Sequence, residues 1–391
     1  MVREIDYLIL LCKAYLNGQS ITLDENIDYE KLYVISNRHN LSAIAFAVIN
    51  TSKNRSVVGE KAFALFQEDF FEAVMRYSLQ SEVKSELSSL LCENRIYHIF
   101  FKGADFRDLF PVPEARVMGD IDVLIKEADR LSVKELLNKN GFESESANGP
   151  VYNYVKDGAL IEMHSKLIND KIGRGNCEEY FKSAFENAKF DGCSGRLEIN
   201  YHFAYLIAHI AHHFRFYGAG IKLILDLAVL LKNAEVEPDK ALSILKDAGL
   251  DDFARVILTV CKKWFGYGES YVENTDETEM FLMNFGAFGN INRNNAAVIE
   301  RKELEEGKAV TPFKTRLRLL FPSYEKLKDI DYINFIEGRP YLTPAAWVYR
   351  AFYNFKNKKS FVVSSVKAIG SDETKSEAER ELAYFKEIGL L

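Results

Sequence analysis

The stretch MGDIDVLI, residues 118–125, places two aspartates inside what otherwise has the composition of a buried strand. Side chains alternate between the faces of a strand, so Asp120, Asp122 and Leu124 share one face. Ile121, Val123 and Ile125 occupy the other. An unpaired buried charge costs several kcal/mol, so this pair needs a neutralising cation. The alternative is a solvent-facing pair at a turn or strand edge, which the apolar run after Asp122 disfavours.

A third carboxylate lies in ALIEMHS, residues 159–165, after the turn signal Asp157-Gly158, which predicts a β-hairpin. Glu162 shares one face of its strand with His164. If that face lies beside the acidic face of MGDIDVLI, three carboxylates converge. Oxygen ligands favour Mg²⁺ or Mn²⁺, and two such ions about 3.5–4 Å apart suit in-line displacement at phosphorus.

The spacing of apolar residues divides the chain into three segments. Residues 1–95 have helical spacing, residues 96–175 are rich in strand-forming sequence, and residues 176–391 return to helical spacing. We therefore predict an α+β fold, in which a small mixed β-sheet core is embedded between an N-terminal helical segment and a larger C-terminal helical region.

Composition disfavours several classes of protein. The net charge of −7 over 391 residues argues against general nucleic-acid binding, and five widely spaced cysteines fit neither a disulfide framework nor a zinc cluster. No signal peptide or membrane-spanning run is found, so we expect a cytoplasmic protein with no transmembrane segment. Residues 311–359 are basic, with ten Lys or Arg against four Asp or Glu. This aromatic and basic section is compatible with a membrane or anionic partner, although aromatics at helical spacing are more often core.

The pair Lys102-Gly103 closes the apolar stretch IYHIFF, and a glycine there lets backbone N–H groups approach a phosphate. The order of Lys-Gly, a loop, Gly-Asp-x-Asp and a later Glu-bearing strand resembles the nucleotidyltransferase superfamily that includes DNA polymerase beta. The flanking sequences narrow the resemblance to the uncharacterised bacterial nucleotidyltransferases of the NTP_transf_5 type, over roughly residues 30–355. The stretches that carry this narrower resemblance are FKGADFRDLFPVPEARVMGDIDVLI, IEMH, HIAHHFRFYGAGIKLILDLAVLL and LRLLFPSYEKLK.

The resemblance implies roles for individual residues. Asp120, Asp122 and Glu162 would be the catalytic carboxylates and would bind Mg²⁺ or Mn²⁺. The residues implied in nucleotide and phosphate binding are Lys102, Gly103, Arg116, Gly119 and Lys222. Lys102 and Arg116 are equally compatible with being partners of the carboxylates. The chain departs from the family pattern at Ala104, where the usual Gly-Ser pair carries a hydroxyl.

Histidines recur on one face of the predicted helix that contains HIAHHF. His202, His209 and His213 share this face, and an HxxxH pair can bind zinc, but no HExxH glutamate is present. We therefore favour structural or substrate-facing histidines. The resemblance places this helix beside the active site, so His209 and His213 are predicted to contact acceptor or phosphate. His164 is predicted to lie next to the metal or the substrate.

Lys222 and Asp226 are four residues apart on the next predicted helix. One interpretation is an exposed salt bridge, which would contribute little stability. The other is a phosphate-binding Lys222 held in place by Asp226.

Taken together, the motifs predict a metal-dependent nucleotidyltransferase that moves a nucleoside monophosphate from an NTP to a hydroxyl-type acceptor and releases pyrophosphate. The acceptor is open: a small molecule, a sugar phosphate, RNA or a protein. One alternative is an Asp-x-Asp glycosyltransferase or a phosphatase, which fits poorly because the apolar strand continues past Asp122. Another is a non-catalytic nucleotide-binding scaffold.

Overall fold

The computed structural model describes residues 2–146, 151–168, 172–286, 295–305, 307, 311–328, 330–336, 338–357 and 368–391. Backbone contacts divide the chain into two compact units. The first comprises residues 1–144, 153–290 and 390, and the second comprises residues 145–152, 291–389 and 391. The predicted segment 1–95 and most of the predicted segment 96–175, all except residues 145–152, therefore share one compact unit with the helices between residues 199 and 284.

Helices make up most of the described chain. Those of the first unit are α1 (Val2–Leu16), α2 (Tyr29–Arg38), α3 (Ser42–Thr51), α4 (Glu60–Glu93), α5 (Gly103–Phe106), α6 (Arg130–Lys139), α7 (Cys177–Tyr180), α8 (Ile199–Phe216), α9 (Ile221–Asn233), α10 (Pro238–Asp247), α11 (Asp251–Phe265) and α12 (Asp276–Asn284). Those of the second unit are α13 (Asn295–Glu305), α14 (Pro312–Leu320), α15 (Tyr324–Leu327), α16 (Thr343–Asn357) and α17 (Asp372–Glu387). Short 3-10 helices lie at Arg55–Val58, Arg107–Leu109, Pro113–Ala115, Glu127–Asp129, Phe181–Ala184, Asp331–Ile336 and Pro340–Leu342. Among the described residues, no helix is both long enough and apolar enough to cross a bilayer.

The strands form one mixed sheet. They are β1 (His98–Phe100), β2 (Asp120–Ile125), β3 (Glu143–Ser146), β4 (Val151–Lys156), β5 (Ala159–His164), β6 (Ala188–Asp191) and β7 (Ser194–Leu197). Their order is β3-β4-β5-β2-β1-β7-β6. β2 runs parallel to β5 and antiparallel to β1, while β7 runs parallel to β1 and antiparallel to β6. The predicted α+β fold with a small mixed sheet between helical regions is confirmed.

The predicted hairpin turn lies between β4 and β5, which are neighbours in the sheet. Asp157 has φ +51° and Gly158 has φ +90°. Two consecutive residues with positive φ match the twist of the flanking strands, as in a type I′ turn. The Asp-Gly pair therefore delivers Glu162 into the sheet as expected.

Two strands lie where the apolar spacing predicts only helix. β6 and β7 are four residues each, and Lys189 and Arg196 within them are exposed. Their alternation of apolar and polar residues is therefore too short and too polar to predict a strand. The local signal is Gly192, which has φ +59° in the two-residue turn between them. Pairing of β7 with β1, a contact distant in sequence, extends the sheet.

Helices cover the two faces of the sheet. The Phe100 ring lies under the ammonium group of Lys84 from α4, at 5.1 Å. Phe101, the next residue, faces the other way, with its ring 5.1 Å from that of His164 and 5.6 Å from that of Tyr205 on α8. The face that carries the candidate carboxylates is therefore the one that α8 covers.

The basic and aromatic section lies in the second unit. Leu327, Ile333, Ile336 and Ala346 form an apolar cluster against which Trp347 packs, so part of this section is core. The large apolar side chains that remain exposed include Phe313, Tyr341, Val348 and Phe352.

Candidate functional site

The register between β2 and β5 aligns the acidic residues. Asp122 pairs with Glu162, Asp120 with Leu160 and Leu124 with His164. Paired residues of neighbouring strands point to the same face, so the carboxylates and the imidazole share it. Among the described residues, one donor atom each from Asp122, Glu162 and His164 lie within 4.8 Å of one another.

Asp122 is the innermost of these carboxylates. It is buried, and its Oδ1 lies 2.7 Å from Lys102 Nζ and 3.1 Å from His164 Nε2. Burial alone would raise the pKa of Asp122, but the lysine charge and the imidazole hydrogen bond outweigh it and hold this pKa below its usual value. Glu162 Oε2 lies 3.4 Å from the same imidazole nitrogen. Asp122 is therefore ionised and already faces one cation.

Asp120 lacks such a partner. The structure gives its carboxylate no ion pair or hydrogen bond within the described residues. Burial, followed by the charges of Asp122 and Glu162, raises the pKa of Asp120 to about 7. Burial and the acidic neighbours therefore outweigh the charges of Lys102 and Lys222 at Asp120, and the oxygen-rich donor set fits a divalent cation.

The turn after β1 is held from α8. Lys102 has φ +52°, an uncommon conformation for a non-glycine residue, and its N–H donates to His202 Nε2 at 3.0 Å. The other ring nitrogen of His202, Nδ1, lies 3.3 Å from Asp105 Oδ2. His202 and Asp105 therefore fix the turn that aims the Lys102 side chain at Asp122.

Gly103 leaves room for Arg116. A Cβ atom at residue 103 would lie 2.1 Å from Arg116 Nη1, so any side chain there would displace the guanidinium group. The expected reason for this glycine was close approach of a phosphate to the backbone; here the guanidinium group itself fills the space. Gly103 and Arg116 are thus brought together, as the prediction of one phosphate site requires.

Asp226 binds Arg116 rather than Lys222. The Arg116 Nε and Nη2 atoms donate to the two Asp226 oxygens at 3.2 and 2.7 Å, and both side chains are 6% exposed. An exposed Lys222–Asp226 salt bridge and a Lys222 held in place by Asp226 are therefore both wrong, because spacing within α9 gave no sign that Asp226 has a partner 110 residues earlier. With two of its nitrogens bound, Arg116 presents Nη1 over Gly103.

Lys222 lies near the Arg116 guanidinium group. The structure gives its ammonium group no ion pair among the described residues. Burial, together with the charge of Arg116, lowers the pKa of Lys222 to about 7, although Asp226 and Asp120 act in the opposite direction. Gly119, the remaining predicted phosphate residue, is exposed in the bend directly before β2.

The histidines of α8 form a row of rings. Ring centroids are 6.0 Å apart between Tyr205 and His209 and 4.5 Å apart between His209 and His213. Burial and the Lys102 charge lower the pKa of His209 well below its usual value, and burial with the neighbouring His212 lowers the pKa of His213 to about 3. Both imidazoles are therefore neutral, and in the described chain they do not join a metal-donor cluster.

Three residues of the site were not predicted: Asp105, Tyr205 and, as the residue that holds the Lys102 turn, His202. His202 stood out only as part of the histidine row. The signal available was its shared helical face with Tyr205 and His209, but that spacing does not show which strand the helix covers.

Comparison with known proteins shows the family of the chain. The family described as uncharacterised nucleotidyltransferase matches residues 25–266, more than half of the 391 residues. No curated protein and no solved structure gives a significant match. The matched range contains the sheet, the carboxylates, the Lys102-Gly103 turn, α8 and α9. The chain therefore belongs to the uncharacterised nucleotidyltransferase family.

Proposed function

We propose that this nucleotidyltransferase moves a nucleoside monophosphate from an NTP to a hydroxyl group of its acceptor and releases pyrophosphate, in a reaction that depends on a divalent metal. The observation that carries the proposal is the register of β2 and β5, which pairs Asp122 with Glu162 and sets Asp120 on the same face. Two adjacent acidic strands on one covered face have no structural benefit of their own, since like charges there raise the free energy of the fold.

The residues present fit a divalent ion. Asp120, Asp122 and Glu162 would hold Mg²⁺ or Mn²⁺, and the bound ion would supply charge that polarises the phosphoryl group and lowers the pKa of the attacking hydroxyl. The raised pKa of Asp120, caused by burial and by its two acidic neighbours, supports this assignment. A carboxylate with no cationic partner gains one when a metal binds.

Three cationic side chains are placed to bind the triphosphate. Lys102 and Lys222 each carry an ammonium group near Asp120, and Arg116 offers Nη1 above Gly103. Arg116 is fixed by Asp226, which orients its guanidinium group without consuming all of its donors. We assign these residues to binding and orienting the phosphates.

Glu162 is the carboxylate placed to meet the acceptor. Its side chain is 28% exposed, whereas that of Asp122 is 5% exposed. A base must reach the proton it removes, so Glu162 is the better candidate to accept the proton of the acceptor hydroxyl.

The test is a pyrophosphate-release assay with the four NTPs, Mg²⁺ or Mn²⁺, and a panel of sugar phosphates, small hydroxyl compounds, RNA and proteins. We expect release in the presence of the right acceptor and none for Asp122→Asn, which conserves size. Full turnover by Asp122→Asn would contradict the assignment of Asp122 as a catalytic metal ligand. Turnover of UDP-sugars without pyrophosphate would point to a glycosyltransferase, and calorimetric NTP binding without any turnover would point to a scaffold.

A further inference from the structure

The imidazole of His164 lies close to two of the carboxylates. Its Nε2 atom lies 3.1 Å from Asp122 Oδ1 and 3.4 Å from Glu162 Oε2. The side chain is 9% exposed, and its ring meets the Phe101 ring edge to face at 5.1 Å. The imidazole is therefore held in place with one nitrogen directed at the carboxylate oxygens.

The two distances from His164 Nε2 match the separation of neighbouring donors around one metal ion. Metal–donor bonds of about 2.1 Å place neighbouring donors of an octahedral ion about 3 Å apart. The two distances from His164 Nε2 are within a few tenths of an ångström of that value, so a single ion could contact all three residues with small adjustments. The Nε2–H group of the imidazole hydrogen-bonds to both carboxylates, and an ion that replaces this proton would meet the same three side chains.

We infer that His164 is a metal ligand together with Asp122 and Glu162, and that this site binds Mn²⁺ more tightly than Mg²⁺. The inference rests on the proposed function and names the ion that serves it. Mg²⁺ takes oxygen ligands and dehydrates reluctantly, whereas first-row divalent ions accept imidazole nitrogen. Among these ions Mn²⁺ suits a site in which most donors are carboxylates. An all-oxygen site, as predicted from the sequence, would give Mn²⁺ no nitrogen ligand.

The position of Lys102 sets the order of events at Asp122. Its ammonium group lies 2.7 Å from the same Oδ1 atom that faces His164. A cation bound to that oxygen would repel the ammonium group, so we expect Lys102 to leave Asp122 for the phosphates when metal and nucleotide are both bound. Metal affinity and phosphate binding are therefore linked through this lysine.

The experiment is electron spin echo spectroscopy of the full-length protein with Mn²⁺ as the probe and no nucleotide. We expect nitrogen modulation of the imidazole type in the wild-type spectrum. His164→Gln should remove it and weaken Mn²⁺ binding by at least about tenfold, since even outer-shell partners of ligands cost 10- to 100-fold when lost. The matched control is His209→Gln, a neighbouring half-buried histidine outside the donor cluster, which should keep the nitrogen signal.

The outcomes separate this inference from the proposed function. Bound Mn²⁺ without nitrogen modulation in the wild-type protein overturns the assignment of His164, and so does a wild-type protein that binds Mn²⁺ no more tightly than Mg²⁺. Pyrophosphate release in the presence of Mg²⁺ would leave the proposed function standing in either case. Nitrogen modulation that depends on His164, in a protein that turns over no NTP, supports the ligand and contradicts the function.

Discussion

Arg116 and Asp226 are joined by two hydrogen bonds, of 3.2 and 2.7 Å, inside the protein. They lie 110 residues apart in sequence, and their ion pair ties the loop before β2 to α9. Removing one partner of a buried ion pair leaves an uncompensated charge, which costs about 3–5 kcal/mol. We expect Asp226→Ala to lower the free energy of unfolding by about that amount, measured in urea.

The double variant Arg116→Met/Asp226→Leu provides the control for this prediction. It removes both charges and fills the space with apolar groups, so it should recover most of the lost stability. It should not recover activity, because the guanidinium group above Gly103 is gone. A double variant as unstable as Asp226→Ala alone would show that the pair is not the source of the effect.

Asp120→Asn should stabilise the fold while abolishing activity. The pKa of Asp120 is raised by burial and acidic neighbours from 3.8 to about 7, so the folded state binds more protons than the unfolded state between these values. Stability therefore falls as pH rises through that window. In EDTA at pH 8 we expect Asn to raise the free energy of unfolding by about 1–3 kcal/mol, a gain that shrinks towards pH 5. A gain of equal size at both pH values would contradict this explanation.

Much of the site could be predicted from short stretches. Strand alternation places Asp120 and Asp122 on one face, and the Asp157-Gly158 turn brings the Glu162 strand into the sheet. These features depend on local geometry, which neighbouring residues largely determine.

Features that depend on distant contacts were not accessible in the same way. The pairing of β7 with β1 and of Arg116 with Asp226 reflects which surfaces meet after the chain folds, and no spacing within either segment reports it. The inferred addition of His164 to the metal donors has the same origin: His164 shares a strand face with Glu162, but only the register with β2 brings its Nε2 to Asp122. Tertiary contacts thus determine which residues the predicted side chains contact, and short sequence motifs do not show this.

His202 is expected to act as a positioning residue. Its Nε2 accepts the Lys102 N–H, and a misplacement of about 1 Å in a binding group can cost about 100-fold in rate. His202→Phe keeps the ring but loses the acceptor, so we expect kcat/KM for the NTP to fall about 10- to 100-fold, mainly through KM. His202→Gln, which retains an acceptor, should recover part of the loss. Equal effects of both variants on KM and on the melting temperature would indicate a packing role only.

Lys222 should give the reaction a pH dependence. Burial and Arg116 lower its pKa to about 7, so in the free enzyme the ammonium group loses its proton, and with it its attraction for phosphate, as pH rises above that value. We expect kcat/KM to decline on the alkaline side of about pH 7. Lys222→Arg stays protonated throughout this range and should flatten the decline. A decline that persists unchanged in Lys222→Arg would assign the titration to another group.

His39 should make the fold sensitive to acid. It is fully buried, its Nε2 lies 3.3 Å from the Met283 carbonyl oxygen, and its Nδ1 accepts the Ile221 N–H at 3.4 Å, an arrangement that only the neutral ring satisfies. Burial, with the nearby Arg38 charge, lowers its pKa from 6.5 to about 4. The unfolded state therefore binds more protons between these values, so the stability present above pH 6.5 is lost as pH falls towards 4.

The slope of stability against pH isolates this histidine from the others. Each such group contributes about 1.4 kcal/mol per pH unit within its window. Urea unfolding of wild type and His39→Gln at several pH values from 6.5 down to 4 should show a shallower slope for the variant, by about that amount. Since His209 and His213 titrate in both proteins, their contributions cancel in the difference. Parallel slopes would mean that the His39 ring is protonated in the folded protein and bonded otherwise than its contacts with Met283 and Ile221 imply.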